Sequence, residues 1–556
     1  PLTDERKSGW LPPNLSIDSD SGVQFSMPYY WNIAPNRDAT LTPVVSGRRG
    51  FGLETEFRYL EPRYSGSVAL DTLPDDRVAG RSRYALNLSH QSDLPHDLRV
   101  RLRSRRVSDD AYWKDFPRNL PSLTPRLLAT DLQFDRPLGD WRTYARVQRW
   151  QVLQDSASLI EAPYARAPQF GARYLGRVGA GFELAFEGEL NRFVDPPVRS
   201  GVSAPTAVRL HALGSIARPY ASPGWTLTPK LAFNAASYAL DEALEGRKHY
   251  SRVIPTVSVD SAWVFERDTS WFGRDSRQTL EPRLLYVNTP YREQDRRLVF
   301  DSAAKDFNFD SIFTENGFSG VDQVSDAHQL TAGVTTRVID AETGAEALRL
   351  GVVQRYLFRD QRITADGVPL EQRFSDVLLL ASTNAVPRWT LDASLQYSPD
   401  TQRTVRSILS ARYSPGPYRT VGATYRLARG LSEQVEVGWQ WPIYGSTPDQ
   451  RRSATATGCN GSWYTMGRIN YSTRDSRITD SVLGFEYDAG CWIGRVVAER
   501  LSTGRSEANT QLLLQLELVG LSRLGSNPLQ VLKDNIPGYR LLRDERGEPA
   551  RPSTYD

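Results

Sequence analysis

Only two methionines and two cysteines occur in 556 residues, and no run of 18 or more apolar residues exists anywhere. The greasiest stretches, Val377–Ala381 and Leu512–Leu518, are short or interrupted by Gln and Glu. A helical membrane span needs about 20 consecutive apolar residues, so none is encoded here. Charge excess is missing as well. The 68 basic and 65 acidic residues leave a formal net charge of +3, which gives little support to polyanion binding through bulk charge. Lysine is scarce: six basic residues are Lys and 62 are Arg. Two readings of that bias stand, bidentate holding of phosphates and carboxylates or the imprint of a GC-rich genome. Two cysteines in so long a chain fit an oxidising envelope compartment. The chain begins at Pro1 with neither an initiator Met nor a signal peptide, so targeting has to be inferred.

What is present is aromatic and strictly alternating. The 25 Tyr, 20 Phe and 13 Trp point to many short strands with interfacial aromatic residues rather than to helical cores. In Phe51–Tyr59, the residues Phe51, Leu53, Phe57 and Tyr59 alternate with Gly52, Glu54, Glu56 and Arg58. The same period of two returns at Phe182–Glu189, Leu391–Tyr397, Gln434–Trp441 and Gln511–Leu518. A soluble sandwich would share this alternation, with its apolar set turned inward. Strand length and number favour a transmembrane barrel instead. The runs suggest strands of about nine to eleven residues, the length that crosses a bilayer at a tilt. At roughly 21 residues per strand and connection, the chain encodes an all-β antiparallel transmembrane barrel of about 26 strands, read as one domain over residues 1–556.

Turn clusters separate the strands at Asp18–Gly22, Pro74–Gly80, Asp195–Gly201, Asp400–Arg403 and Arg474–Arg477, and Arg292–Gln329 reads as a long surface loop. The first cluster superficially resembles a calcium loop, but its Gly comes one place early and Tyr29 stands where the closing Glu belongs. A hairpin tip is the better reading. Catalytic patterns are missing. None of His90, His96, His211, His249 and His328 belongs to a zinc-type H-E-x-x-H, and Gly317-Phe318-Ser319-Gly320 is followed by Val321 where a G-x-S-x-G elbow needs Gly. There is no phosphate-binding loop, and the carboxylates are spread as a wet lumen requires. No enzyme, cofactor, metal site or nucleic-acid partner is expected.

Ser8-Gly9-Trp10-Leu11-Pro12-Pro13, then Met27-Pro28-Tyr29-Tyr30-Trp31-Asn32-Ile33-Ala34-Pro35-Asn36 and Asp38-Ala39-Thr40-Leu41-Thr42-Pro43, closely resemble the opening of the LptD barrel. Leu280-Glu281-Pro282-Arg283, Pro290-Tyr291-Arg292, Gly320-Val321-Asp322, the run Gln329–Arg337 and Asn535-Ile536-Pro537 follow in the family's order. The resemblance implies an outer-membrane translocon that places lipopolysaccharide in the outer leaflet. It further implies the plug lipoprotein LptE in the lumen, a periplasmic Lpt protein bridge, and the barrel-assembly machinery during folding. The bridge docks on an N-terminal periplasmic jelly-roll domain that no residue here represents. The alternative from pattern alone is a large porin or plugged nutrient transporter.

Moving a sugar-phosphate head through hydrocarbon is prohibitively costly. It needs a wet path, while the acyl tails need a side exit where the strand ladder is weak. Proline weakens a ladder because it has no N–H to donate. By their motif positions Pro13 and Pro28 match the family's gate prolines, and the resemblance sets the first strand against the last, about Thr510–Leu518. The plainer reading makes these prolines strand ends or bulges. Cys491 follows Glu486–Gly490 where the family usually has two adjacent cysteines in a periplasmic turn joined by disulfides to the N-terminal domain; Gly490 replaces one of them. An inter-domain bond at Cys491, a Cys459–Cys491 bond across two strand spacings, and free thiols all remain open.

Overall fold

The computed structural model describes residues 6–116, 126–156, 158–195, 198–199, 202–271, 273–445, 461–502, 508–519 and 521–542. Twenty-six antiparallel strands close into one barrel, and 4% of the chain is helical. Neighbours in sequence are neighbours in the ring, and the circle closes where Asn14–Asp18 pairs with Ala508–Leu518. The strand number matches the expectation from length. Strand length does not: several strands run 12 to 14 residues, and Trp225–Leu244 and Arg247–Trp263 reach 20 and 17. At roughly 3.3 Å per residue, 20 residues extend about 65 Å, well past a tilted crossing of a ~30 Å hydrocarbon layer. These hairpins therefore rise beyond the membrane.

Polarity is inverted relative to a soluble sandwich. Arg209 is 0% exposed and its neighbour Leu210 is 58% exposed. Successive residues of a strand face opposite sides, so the charged side chain points into the barrel and the leucine out. Apolar groups facing outward all round require hydrocarbon outside, which excludes two stacked sheets with a greasy interior. Much of the arginine serves this lumen as carboxylate clamps: Asp260 takes both Nε and Nη2 of Arg283, at 3.1 and 2.6 Å, and Asp109 takes the same two atoms of Arg83, each at 2.9 Å. The planar fork matches a carboxylate where an ammonium could not.

Connections alternate between two rims. One has tight turns such as 35–36, 61–63 and 139–140; the other carries residues 290–326 and 358–376 and the short helix Tyr112–Asp115. The long loop folds inward. Phe300 stacks on Phe193 at 4.6 Å, and Asp322 and Asp301 accept from Arg209 at 2.7 and 2.8 Å. After the last ring strand the chain turns back through a short strand, Ser522–Gly525, and the helix Pro528–Asn535. Leu532, Ile536 and Tyr539 bury against Tyr464, Met466, Val497 and Leu513 of the inner wall.

Candidate functional site at the barrel seam

Proline breaks both of the first two ring strands. Leu11-Pro12-Pro13 separates Gly9–Trp10 from Asn14–Asp18, and Met27-Pro28 separates Gly22–Ser26 from Tyr29–Ala34. Trp10 pairs with Tyr29 and Asn14 with Ser26, so three residues on one side of the interruption face two on the other. That is a bulge, where a ladder loses bonds and gains twist. Pro13 and Pro28 thus interrupt the first two ring strands beside the closure, as the strand-break reading expects. One backbone bond spans the gap, Leu11 N–H donating to the Pro28 carbonyl at 2.8 Å.

The closure itself is short. Ser16, Ile17 and Asp18 pair with Leu513, Leu512 and Gln511, supplemented by Ser19 N–H donating to the Thr510 carbonyl at 2.9 Å. By contrast, the last two ring strands pair without a break from Trp492–Leu518 to Ser502–Ala508. Below the closure the last strand turns to the return strand instead, with Gln515 opposite Gly525 and Leu518 opposite Ser522. The return strand touches the first strand through few groups: Gly525 N–H donates to the Pro13 carbonyl at 2.9 Å, and the Ser526 hydroxyl donates to the Leu15 carbonyl. Gly525 needs its φ of +91°, and a Cβ there would lie 2.2 Å from the Leu514 carbonyl oxygen.

Two hollows lie back to back across this join. Inside, a cavity of roughly 350 Å³ is lined by Ser16, Asp18, Glu54, Asp71, Gln511 and Asn527 among others. Outside, a trough of roughly 680 Å³ is lined by Pro13, Leu15, Phe25, Trp492, Leu516 and Leu524. A polar chamber and an apolar groove separated by one short ladder can accommodate the two ends of an amphiphile. Tyr112, Asp115 and Phe116 roof the inner cavity. Their helix is held by Arg83, which pairs with Asp115 and Asp109, and by Arg49, 3.3 Å from Asp115 and 2.8 Å from Asp76. Burial pushes the Asp109 carboxyl up, but the Ser108 hydroxyl and Arg83 outweigh it and hold the group below the usual carboxylate range. Asp20, in the turn joining the first two strands, is pushed above that range by burial and by Asp18.

Cys491 is exposed in the tight-turn rim beside the base of the return strand, its carbonyl accepting from Val519 N–H at 3.0 Å. Cys459 lies outside the described residues. Ser462, three residues after Cys459 in sequence, pairs with Asp488, three before Cys491. Sequence reasoning missed the return strand, whose four residues are too few for a periodic signal, and Ser526, which nothing local distinguishes.

The family described as LPS transport system D matches residues 81–447. LPS-assembly protein LptD of Albidiferax ferrireducens is 46% identical over 572 residues, covering 100% of this chain and 71% of that protein. The proteins of the same name from Paracidovorax citrulli and Ralstonia nicotianae are 46% and 38% identical, each over 100% of this chain and covering 69% and 68% of theirs.

Proposed function

The chain belongs to the LptD family of LPS-assembly proteins, integral in the outer membrane, and from that membership we propose that it passes lipopolysaccharide to the outer leaflet through a gate at the Asn14–Asp18 and Ala508–Leu518 seam. The observation that carries this reading is the pairing of a polar inner cavity with an apolar outer trough across the shortest ladder of the ring. The sugar-phosphate head occupies the inner chamber while the acyl tails pass between the parted strands into the trough, so neither part meets the wrong solvent. Pro13 and Pro28 keep the exit open to separation because neither can donate to the ladder. The return strand fills the lower half of the join and withdraws when the seam parts.

Outer-membrane barrels carry short periplasmic turns and long extracellular loops, so the rim bearing residues 290–326 faces outward and Cys491 faces the periplasm. There Cys491 forms a disulfide with the periplasmic domain of the full-length protein, with Cys459 as the competing partner; non-reducing peptide mapping distinguishes them. Residues 1–556 act as the barrel domain. The plug lipoprotein LptE occupies the lumen, the periplasmic Lpt bridge delivers the lipid, and the barrel-assembly machinery folds the ring.

A photoreactive side chain placed at Ser16 for the chamber, at Leu516 for the trough, and at Phe233 on the remote lipid face tests the route in living cells. Adducts with lipopolysaccharide at Ser16 and Leu516 but not at Phe233 are expected. Equal labelling at all three, or none at Ser16, overturns the route.

A further inference from the structure

Across the ring from the seam, the inner wall holds a buried histidine. His211 on Ala207–Ala217 stands directly opposite Glu189 on Phe182–Val194, with Glu187 on the same face two residues away. His211 is 2% exposed, and neither ring nitrogen has a hydrogen-bond partner among the described residues. Its Nε2 lies 3.7 Å from Glu187 Oε1 and its Nδ1 lies 3.9 Å from Glu189 Oε1, both beyond hydrogen-bonding distance. A buried imidazole with two unpartnered nitrogens thus stands beside two carboxylates, and one of those nitrogens, not both, can turn to a cation that the carboxylates hold.

We propose that Glu187, Glu189 and His211 form a binding site for a divalent transition-metal ion of the zinc class. One atom from each of the three lies within 4.8 Å of the others. Zinc bonds of about 2.1 Å in tetrahedral geometry set ligand atoms roughly 3.4 Å apart; the carboxylate–imidazole gap of 3.7 Å therefore closes with a small side-chain rotation. The donor set selects the metal. An imidazole with two carboxylates suits Zn²⁺ and its first-row neighbours, whereas Ca²⁺ and Mg²⁺ require more oxygen ligands and disfavour nitrogen.

The surrounding groups fit a ligand role for both carboxylates. Glu189 Oε2 accepts from the Tyr144 hydroxyl at 2.5 Å and from Gln169 Nε2 at 2.6 Å, and Glu187 Oε2 lies 2.8 Å from Arg173 Nε. In each carboxylate the oxygen away from His211 takes the shorter bonds, the arrangement that orients metal-binding carboxylates, and Glu187 Oε1, which faces His211, also accepts from Arg173 Nη2 at 3.4 Å. Glu189 Oε1 also receives longer bonds from Arg209 at 3.2 Å and Asn191 at 3.4 Å. The Arg209 charge is already answered by Asp301 and Asp322, so a cation at Glu189 leaves that arginine paired. The ion would join two ring strands beside the anchor of the long loop.

The test uses the full chain purified in detergent and stripped with a chelator. Co²⁺ serves as the spectroscopic probe and Zn²⁺ as the competitor. One saturable equivalent of Co²⁺ with a visible absorption band is expected, displaced by Zn²⁺. The band should be lost in His211→Ala, and affinity should weaken about tenfold or more in Glu187→Gln. His211→Asn gives a second variant of similar polarity, and heat-modifiable electrophoretic mobility verifies that each barrel is folded. The proposal is overturned by the absence of a saturable band in the wild-type chain, or by an equal band in folded His211→Asn.

Discussion

The Ser526 hydroxyl donates to the Leu15 carbonyl across the closure of the barrel, joining positions 511 residues apart. The same residue's N–H donates to the Leu514 carbonyl at 2.7 Å, so one serine bridges the two edges that must separate. Its hydroxyl contributes about 1 kcal/mol, the net worth of a neutral hydrogen bond. Ser526→Ala should therefore raise the opening frequency of the seam about fivefold. Hydrogen exchange at the amides of Ile17 and Leu512, which stand opposite each other in the closure, reads this directly; unchanged exchange would show that the serine does not hold the join.

Directly opposed residues on antiparallel strands have Cβ atoms about 4.5–5.5 Å apart, near enough for a disulfide after small adjustment. Ile17 and Leu512 are such a pair. The double variant Ile17→Cys, Leu512→Cys should stop the appearance of lipopolysaccharide at the cell surface when oxidised and restore it on reduction. Continued export through a quantitatively oxidised seam would place the exit elsewhere.

Pro13 and Pro28 leave their strands interrupted beside the closure. Replacing both with Ala restores two backbone donors and lets the strands run on. Newly exported lipopolysaccharide, labelled at the surface, should fall severalfold while barrel abundance stays constant. Export at the wild-type rate would mean that the prolines shape the strands without controlling release.

Acid should lift the roof of the inner cavity. Asp109 has a folded-state pKa below the ordinary value of about 3.9, so its contribution is fully present above that value and is lost as pH falls through the depressed one. Docking of the helix Tyr112–Asp115 should be equal at neutral and mildly acidic pH and should fail only in strong acid. Fluorescence of Trp113, isolated by difference against Trp113→Phe, follows the transition; release near neutrality would contradict it. Arg83→Met takes one guanidinium from Asp76, Asp109 and Asp115 together while Arg49 and Arg81 stay in place, and should shift the signal part of the way toward the released value at neutral pH.

The barrel was legible because its code is local. Alternation at Phe51–Tyr59 or Leu391–Tyr397 declares a strand with one apolar face, and chain length divided by a strand-and-turn repeat yields the number of strands. The prolines were legible for the same reason, since a missing N–H acts on its own strand wherever that strand lies. The return strand was not, because four residues carry no period and its partner, the last ring strand, is chosen by the fold.

What the amino-acid sequence determined by itself is the class of architecture, an outward-greasy ring of about 26 strands, and the places where its ladder is locally broken. Only the tertiary structure decided which distant groups meet. Ser526 reaches Leu15, and His211 stands between Glu187 and Glu189, because inter-strand register and ring closure set those distances. Register is a property of paired backbones, and a linear pattern of side chains does not contain it.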